Sequence, residues 1–519
     1  MEHYCYYQYL KFNGEDFFTV VMLPEKHGQF PAVICRSPYV KNTVNMSEAE
    51  ITQDYYKGYK FWLECGYAVL YQHCRGQGKS SGAFVPYIHE REDGLAFREW
   101  IRSQSFYNGE MFLMGSSYTA SLHYATAPFE KDIKGAAFDV QDSERYRLWY
   151  RNGQMRKGHA NWHFGLYKAK CGLNKKYSIR SFSELPLKGL SERALGDRAE
   201  EFEQMLEASS PLHEFWSTRF GGSDTKDAVT DTDIPVLLTT GYNDFYIGGV
   251  FKMWNRMSEQ TKARSALLVS PYNHGDSYDK NNSIPFPMGQ KKQAFGDHYQ
   301  LSWFEHIRKG SAIPYKKGTV TYYRVFEDRW QADFYGTPTK ELTVPLGTDT
   351  LSFGYDPKNP PSFMGEGVFA EDFDGRRDIV SVYTPPFDKD IFVKGQMKAR
   401  LAVESDRADT SFYVRISIKK QEFTYVLRHD ITSLCYQLGD YKKGTVAILD
   451  FCFDEHAFLI KEGESLRIDI SSTDNNTYVC HTNRKGEYYL QTETDIAENK
   501  IYLNESCLIL PVELKSAEL

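Results

Sequence analysis

Apolar residues in the first part of the chain come in short, dense runs. Pro31-Ala-Val-Ile-Cys35 and Tyr67-Ala-Val-Leu-Tyr71 are rich in β-branched or aromatic residues and bounded by turn formers, which predicts strands buried on both faces. Between Glu90 and Arg102 the period lengthens: Ala96, Phe97, Trp100 and Ile101 recur at helical spacing and give one apolar face. Asn108-Gly109 marks a turn, and Glu110-Met-Phe-Leu-Met114 reads as the next strand. The same alternation returns at residues 234–240 and 265–270. Strand, helix, strand, helix predicts an α/β fold with a doubly wound, mostly parallel sheet.

Two stretches break this rhythm. Residues 140–231 are rich in Arg, Lys, Glu and Trp with few β-branched runs, as expected for irregular helices inserted between two strands. Such an insertion is placed to cover the C-terminal edge of the sheet, where ligands bind in folds of this type. From about residue 345 the period becomes two. Met397, Ala399, Leu401 and Val403 alternate with polar residues, as do Phe412, Val414, Ile416 and Ile418, and Leu466, Ile468 and Ile470. This predicts an antiparallel β-sandwich. The expected organisation is a sheet core from 1–139 and 232–344, a helical cap from 140–231, and a sandwich from 345–519.

The sequence has 519 residues, 15 % of them aromatic, and a net charge of −7. A mildly acidic chain has no general field for a polyanion, so nucleic acid is not an expected partner. No stretch reaches the roughly 18 apolar residues of a membrane span, and the chain does not open on a basic segment followed by an apolar run. Nine scattered cysteines form no C-x-x-C pair, which fits reduced thiols and a cytoplasmic location. Nothing in the pattern calls for a cofactor.

Two segments bear on nucleophilic catalysis. Gly78-Lys-Ser80-Ser-Gly82 matches G-x-S-x-G to the letter, whereas Gly115-Ser-Ser117-Tyr-Thr-Ala120 follows it loosely, ending on a small residue. A nucleophile elbow needs a strand entering a sharp turn and a helix leaving it. Residues 110–114 supply the strand and residues 118–127 can supply the helix, whereas Ala83-Phe-Val-Pro86 is no helix start. Ser117 is therefore the candidate nucleophile. Gly78-Lys-Ser80 is no phosphate loop either, because His73 stands where that motif requires Gly. A serine hydroxyl needs a histidine to take its proton and an acid to hold the histidine's tautomer. Asp244 follows the 234–240 strand and His274 follows the 265–270 strand, the chain order of an α/β-hydrolase triad. A metal site is disfavoured. His159-Ala-Asn-Trp-His163 spaces two imidazoles at i, i+4 but lacks the glutamate of H-E-x-x-H and a third ligand, and residues 372–378 read as a turn.

Taken together, these residues resemble the cocaine-esterase and X-prolyl dipeptidyl-peptidase-like group of acyl hydrolases, also called CocE/NonD. The resemblance rests on Arg36-Ser-Pro-Tyr39, Gln72-His-Cys-Arg-Gly-Gln-Gly-Lys-Ser-Ser-Gly82, Tyr107-Asn-Gly109, Gly115-Ser-Ser-Tyr118, the Asp244 and His274 loops, and Leu466-Arg-Ile-Asp-Ile-Ser-Ser472. It departs from the family at Ala120, where glycine is usual, and at His73, where many relatives have Asp. The resemblance implies an α/β-hydrolase core, a helical cap and a C-terminal jelly roll. It implies Ser117 as nucleophile, His274 as base then acid, and Asp244 as its orienting group. It assigns the oxyanion hole to the Tyr118 backbone N–H and the Tyr39 hydroxyl, and places Trp149 and Tyr246 as walls of the substrate pocket. The substrate is then a small-molecule or short-peptide acyl compound, cleaved at an ester or amide. Two alternatives stand beside this reading. One is an X-Pro peptidase, aminopeptidase or α-amino acid ester hydrolase, with Asp142 and Glu144 as candidates to hold an ammonium. The other is a binding protein on an inactive hydrolase fold. The sequence leaves a monomer and a homo-oligomer unranked.

Overall fold

The computed structural model describes residues 3–40, 43, 45–124, 126–127, 130–141, 144–171, 184–216 and 233–514. Its centre is a ten-stranded sheet. The strands are β1 (Tyr4–Phe12), β2 (Glu15–Leu23), β3 (Phe30–Ser37), β4 (Ala68–His73), β5 (Tyr107–Ser116), β6 (Ile133–Asp139), β7 (Val236–Asn243), β8 (Ala266–Asn273), β9 (Val320–Arg324) and β10 (Arg329–Gln331). They lie in the order β1-β2-β4-β3-β5-β6-β7-β8-β9-β10. From β4 to β9 every pairing is parallel, while β1, β2 and β10 join antiparallel.

The dense apolar runs are explained by burial on both faces. Val33, Val69, Phe112, Leu237 and Leu268 point into one core with Ile51, Trp62, Trp303 and Phe304, which belong to the helices Glu48–Glu64 and Tyr299–Lys309. Ile34, Leu70, Leu113, Leu238 and Val269 point into the other, against Phe97, Ile101, Leu122 and Val250 of the helices Glu90–Arg102, Tyr118–Tyr124 and Ile247–Arg256. Alternate residues of each strand thus meet a different helical layer. β3 pairs with both β4 and β5, so the chain reverses its direction of travel across the sheet there. Ligand crevices open at such a switch point, beyond the carboxyl ends of the strands.

Between β6 and β7 lie the short helix Arg145–Trp149, a two-residue hairpin (Tyr150–Arg151 with Gln154–Met155), and the helices Lys157–Cys171, Leu190–Leu195 and Glu200–Glu207. This is the expected cap. Beyond residue 339 come two antiparallel sheets of seven and four strands. The 17-residue strand Ala497–Glu513 organises the larger one, pairing with Thr339–Pro345, Thr350–Tyr355, Ile391–Gly395 and Lys398–Ser405.

The period-two reading of the sandwich needs one correction. Phe412, Val414, Ile416 and Ile418 are buried as expected, but the alternate residues Tyr413, Arg415 and Ser417 are buried as well. Arg415 makes this tolerable: it donates to Asp469 at 2.8 and 3.1 Å and to Glu371 at 2.9 Å, and stacks over Phe363 at 4.8 Å. A polar face can be buried when each charge is paired and hydrogen-bonded. The sandwich is also tied to the cap. Arg151 reaches Asp430 at 2.7 Å and Asp454 at 3.1 Å, Arg147 reaches Asp454 at 3.1 Å, and the Lys157 ammonium donates to the Asn475 carbonyl at 2.8 Å.

Candidate active site

Strand β5 ends at Ser116 and the helix Tyr118–Tyr124 begins at the next residue but one, so Ser117 must make the whole turn. It does so with φ of +55°, a left-handed conformation that a non-glycine residue adopts only when its surroundings impose it. The Ser117 N–H donates to the Asp139 carbonyl at the end of β6, and its own carbonyl accepts from the Ala120 and Ser121 N–H groups. Gly115 is obligatory beneath the turn, because a Cβ there would sit 2.5 Å from the Thr119 backbone. The seat of the corner is a buried network. The Tyr118 hydroxyl donates to Glu90 at 2.6 Å and accepts the Tyr87 N–H at 2.8 Å, and Glu90 pairs with Arg36 at 3.3 Å. Arg36 of the Arg-Ser-Pro-Tyr motif thus supports the elbow from below, while Tyr39 stands over it.

The Tyr39 hydroxyl lies within hydrogen-bonding reach of the Ser117 side chain and of the Tyr118 backbone N–H, and accepts from Trp162 Nε1 at 3.2 Å. Burial pushes its pKa up to about 12 against those hydrogen bonds, so it carries a proton to donate at neutral pH. Tyr39 is 45 % exposed, and that exposure opens onto the cavity it lines.

Asp244 and His274 follow β7 and β8. The Asp244 carboxylate is fully buried. Its Oδ1 faces His274 Nδ1 at 3.1 Å and accepts the Tyr246 N–H at 3.1 Å, while Thr240 Oγ1 donates to Oδ2 at 3.3 Å. Phe245 stacks on the His274 ring at a centroid distance of 5.0 Å, and Tyr246 leans on it at 5.3 Å. With Nδ1 committed to Asp244, Nε2 is the imidazole nitrogen left for chemistry. The Asn273 side chain accepts from the Gly275 and Ser277 N–H groups and turns the loop that presents the ring.

Ser117, His274, Tyr39 and Tyr246 line one cavity of about 820 Å³ at the C-terminal edge of the sheet. The cap supplies Leu148, Arg156, His159 and Trp162, and the sandwich supplies Asn476 and Thr477. Trp149, expected in the pocket wall, is not among the lining residues. It is fully buried one layer behind, edge-on to His159 at 5.5 Å and His163 at 5.2 Å. Trp162, parallel to His159 at 5.0 Å, forms the wall instead. The i, i+4 histidines are therefore packing partners of two tryptophans, and burial holds both in the neutral form, His163 at about 3. The i, i+3 offset of His159 and Trp162 was a usable signal that both share one helix face; Arg156, Asn476 and Thr477 left none. Glu144 faces Lys252 at 3.3 Å and Arg256 at 2.9 Å and does not line the cavity. Asp142 lies outside the described residues.

Ser80 sits elsewhere. Its hydroxyl donates to the His73 carbonyl at 3.0 Å and accepts the Phe18 N–H at 3.0 Å.

Residues 14–276 match the family model described as X-Pro dipeptidyl-peptidase (S15 family), and residues 315–507 match the X-Pro dipeptidyl-peptidase C-terminal non-catalytic domain. The chain is 23 % identical over 457 residues to the cocaine esterase of Rhodococcus sp. (strain MB1 Bresler), covering 76 % of each. Its fold is that of an α-amino acid ester hydrolase, with a TM-score of 0.82 at 15 % identity over 98 % of this chain and 97 % of that one. It is also that of an aminopeptidase from a marine sediment Thaumarchaeota archaeon, with a TM-score of 0.79 at 15 % identity over the same shares. The chain belongs to the S15 X-Pro dipeptidyl-peptidase family, within the CocE/NonD group of serine hydrolases.

Proposed function

We propose that this protein hydrolyses the ester of a small acyl compound through an acyl-enzyme, with Ser117 as nucleophile, His274 as general base and acid, and Asp244 as the group that orients His274. The observation that carries the reading is the strained Ser117 corner, which puts its hydroxyl beside Tyr39 in the cavity that His274 also lines. As Ser117 Oγ attacks the carbonyl carbon, His274 Nε2 takes its proton and the imidazolium is stabilised by buried Asp244. The negative charge that develops on the carbonyl oxygen would be met by the Tyr39 hydroxyl and the Tyr118 N–H, the two donors nearest Ser117 in this reading. His274 then returns the proton to the leaving oxygen. Water repeats the sequence on the acyl-enzyme, releasing the acid and restoring Ser117.

A plain ester is favoured over a substrate with a free ammonium. Among the described residues that line the cavity none is a carboxylate, and Glu144 is engaged by two cations. The test is turnover of p-nitrophenyl butyrate, an α-amino acid p-nitrophenyl ester and a Gly-Pro anilide by wild type and Ser117→Ala. Ser117-dependent turnover, highest on the plain ester, is expected. Activity surviving in Ser117→Ala overturns the nucleophile, and preference for the Gly-Pro anilide moves the reading to an X-Pro peptidase.

A further inference from the structure

Four arginines lie on the cap segment 145–156, and their fates differ. Arg147 and Arg151 are taken by Asp454 and Asp430 of the sandwich. The Arg145 guanidinium stands over the Tyr87 ring, 4.0 Å from its centroid. Arg156 lines the cavity that contains Ser117 and His274, and among the described residues its guanidinium has neither an ion pair nor a hydrogen-bond partner. Its Nε is buried and unpaired. Asp454 attracts Arg156 through space but is itself ion-paired with Arg147 and Arg151.

The backbone at Arg156 is firmly held. Its N–H donates to the Trp149 carbonyl at 2.7 Å, it forms an antiparallel bridge with Tyr478, and the next N–H, of Lys157, donates to the Thr477 carbonyl at 2.9 Å. The sandwich loop that supplies Asn476 and Thr477 to the cavity wall is thus the same loop that fixes Arg156. The rest of the wall is largely aromatic and aliphatic: Tyr39, Tyr71, Leu148, Trp162, Phe245 and Tyr246. Arg156 is the one permanently charged side chain among the described lining residues. The Arg156 Nε is a buried donor with no acceptor among the described residues, and the planar fork of a guanidinium matches a carboxylate in bidentate fashion.

We propose that Arg156 is a specificity residue that binds a carboxylate carried by the substrate away from the scissile bond, so that the enzyme acts on esters of anionic rather than cationic compounds. This rests on the serine-hydrolase reading above and names its substrate class. The cation also disfavours a free ammonium in the same cavity, which gives a second reason for the low rank of the amino-ester reading.

Two matched pairs test it. One places the charge on the acyl side: the mono-p-nitrophenyl ester of adipic acid against its methyl ester. The other places it on the leaving group: 4-acetoxybenzoate against methyl 4-acetoxybenzoate. Charge-assisted hydrogen bonds contribute about 1.5–3 kcal/mol, so kcat/KM is expected to favour the carboxylate about 10–100-fold in one pair, mainly through KM. The responding pair identifies the side on which the anion sits. Arg156→Gln is expected to collapse that ratio towards one, and Arg156→Lys to restore part of it. No carboxylate preference in either pair overturns the proposal. So does a preference that Arg156→Gln leaves intact, or a loss in that variant shared equally by both members. Ser117-dependent hydrolysis of the methyl esters without any anion preference defeats the Arg156 site alone, whereas hydrolysis that survives Ser117→Ala defeats the serine-hydrolase reading itself.

Discussion

Ser80 and Ser117 each follow a strand of the same central sheet, β4 and β5, and each sits in a glycine-containing turn that resembles a nucleophile elbow. The better sequence match is the worse site. After β4 the chain folds back on itself. Gly78 has φ of +56° and lies against the His73 ring, where a Cβ would meet Nδ1 at 2.4 Å. Ser80, 9 % exposed, spends its hydroxyl bridging Phe18 and His73. After β5 the chain instead starts a helix at once, which forces the left-handed corner onto Ser117 and leaves its side chain beside Tyr39 in the cavity. A glycine-serine-glycine pattern specifies a tight turn. Whether the hydroxyl is free to react depends on what the turn leads into.

The widest expected separation between the two serines is kinetic. Ser117→Ala should lower kcat for a p-nitrophenyl ester by on the order of 10⁶-fold, while Ser80→Ala retains activity per folded molecule; a loss at Ser80 and not at Ser117 would reverse the assignment. Asp244→Asn extends the comparison to the partner groups proposed for Ser117. An amide at this position offers His274 Nδ1 the wrong tautomeric partner, and kcat should fall about 10⁴-fold with the fold intact by circular dichroism. A smaller loss, about 10²–10³-fold, is expected for Tyr39→Phe, which removes one oxyanion donor. Its effect belongs in kcat; a change confined to KM would make Tyr39 a wall residue. The smallest effect is thermodynamic. Ser80→Ala leaves the buried Phe18 N–H without an acceptor and should cost about 1–3 kcal/mol in urea unfolding, a loss that a surface serine would not show.

Much of the α/β core was legible because its signals are local. Strand residues buried on both faces must be apolar in succession, and the helix read at Glu90–Arg102 spans those residues. Downstream, Asp244 and His274 were legible from their position after strands, since a doubly wound sheet brings strand C-termini to one edge. The Ser117 helix shows the limit of such reading: residues 118–127 could supply one helix by their pattern, whereas the described helix is Tyr118–Tyr124 and Thr126 lies in a turn. The pocket wall was less legible. Trp149 and Trp162 are both cap tryptophans, and which one turns to the cavity is decided by packing around His159 and His163, not by spacing from Ser117.

The sequence by itself determined the alternating core, the period-two sandwich, the strand–turn–helix context of Ser117 and the order of serine, acid and histidine. These depend on hydrophobic periodicity and on turn chemistry within a few residues, which the chain carries wherever it goes. Only the tertiary structure decided that the Tyr39 hydroxyl stands over Ser117, that the polar face of the strand Ser411–Lys419 is buried, and that Arg156 faces the cavity unpaired. Each of those outcomes depends on groups far apart in the chain. The bond between Lys157 and Asn475, which helps hold the cavity wall, spans 318 residues, and no local pattern encodes the partner that a charge will meet, or lack, across such a distance.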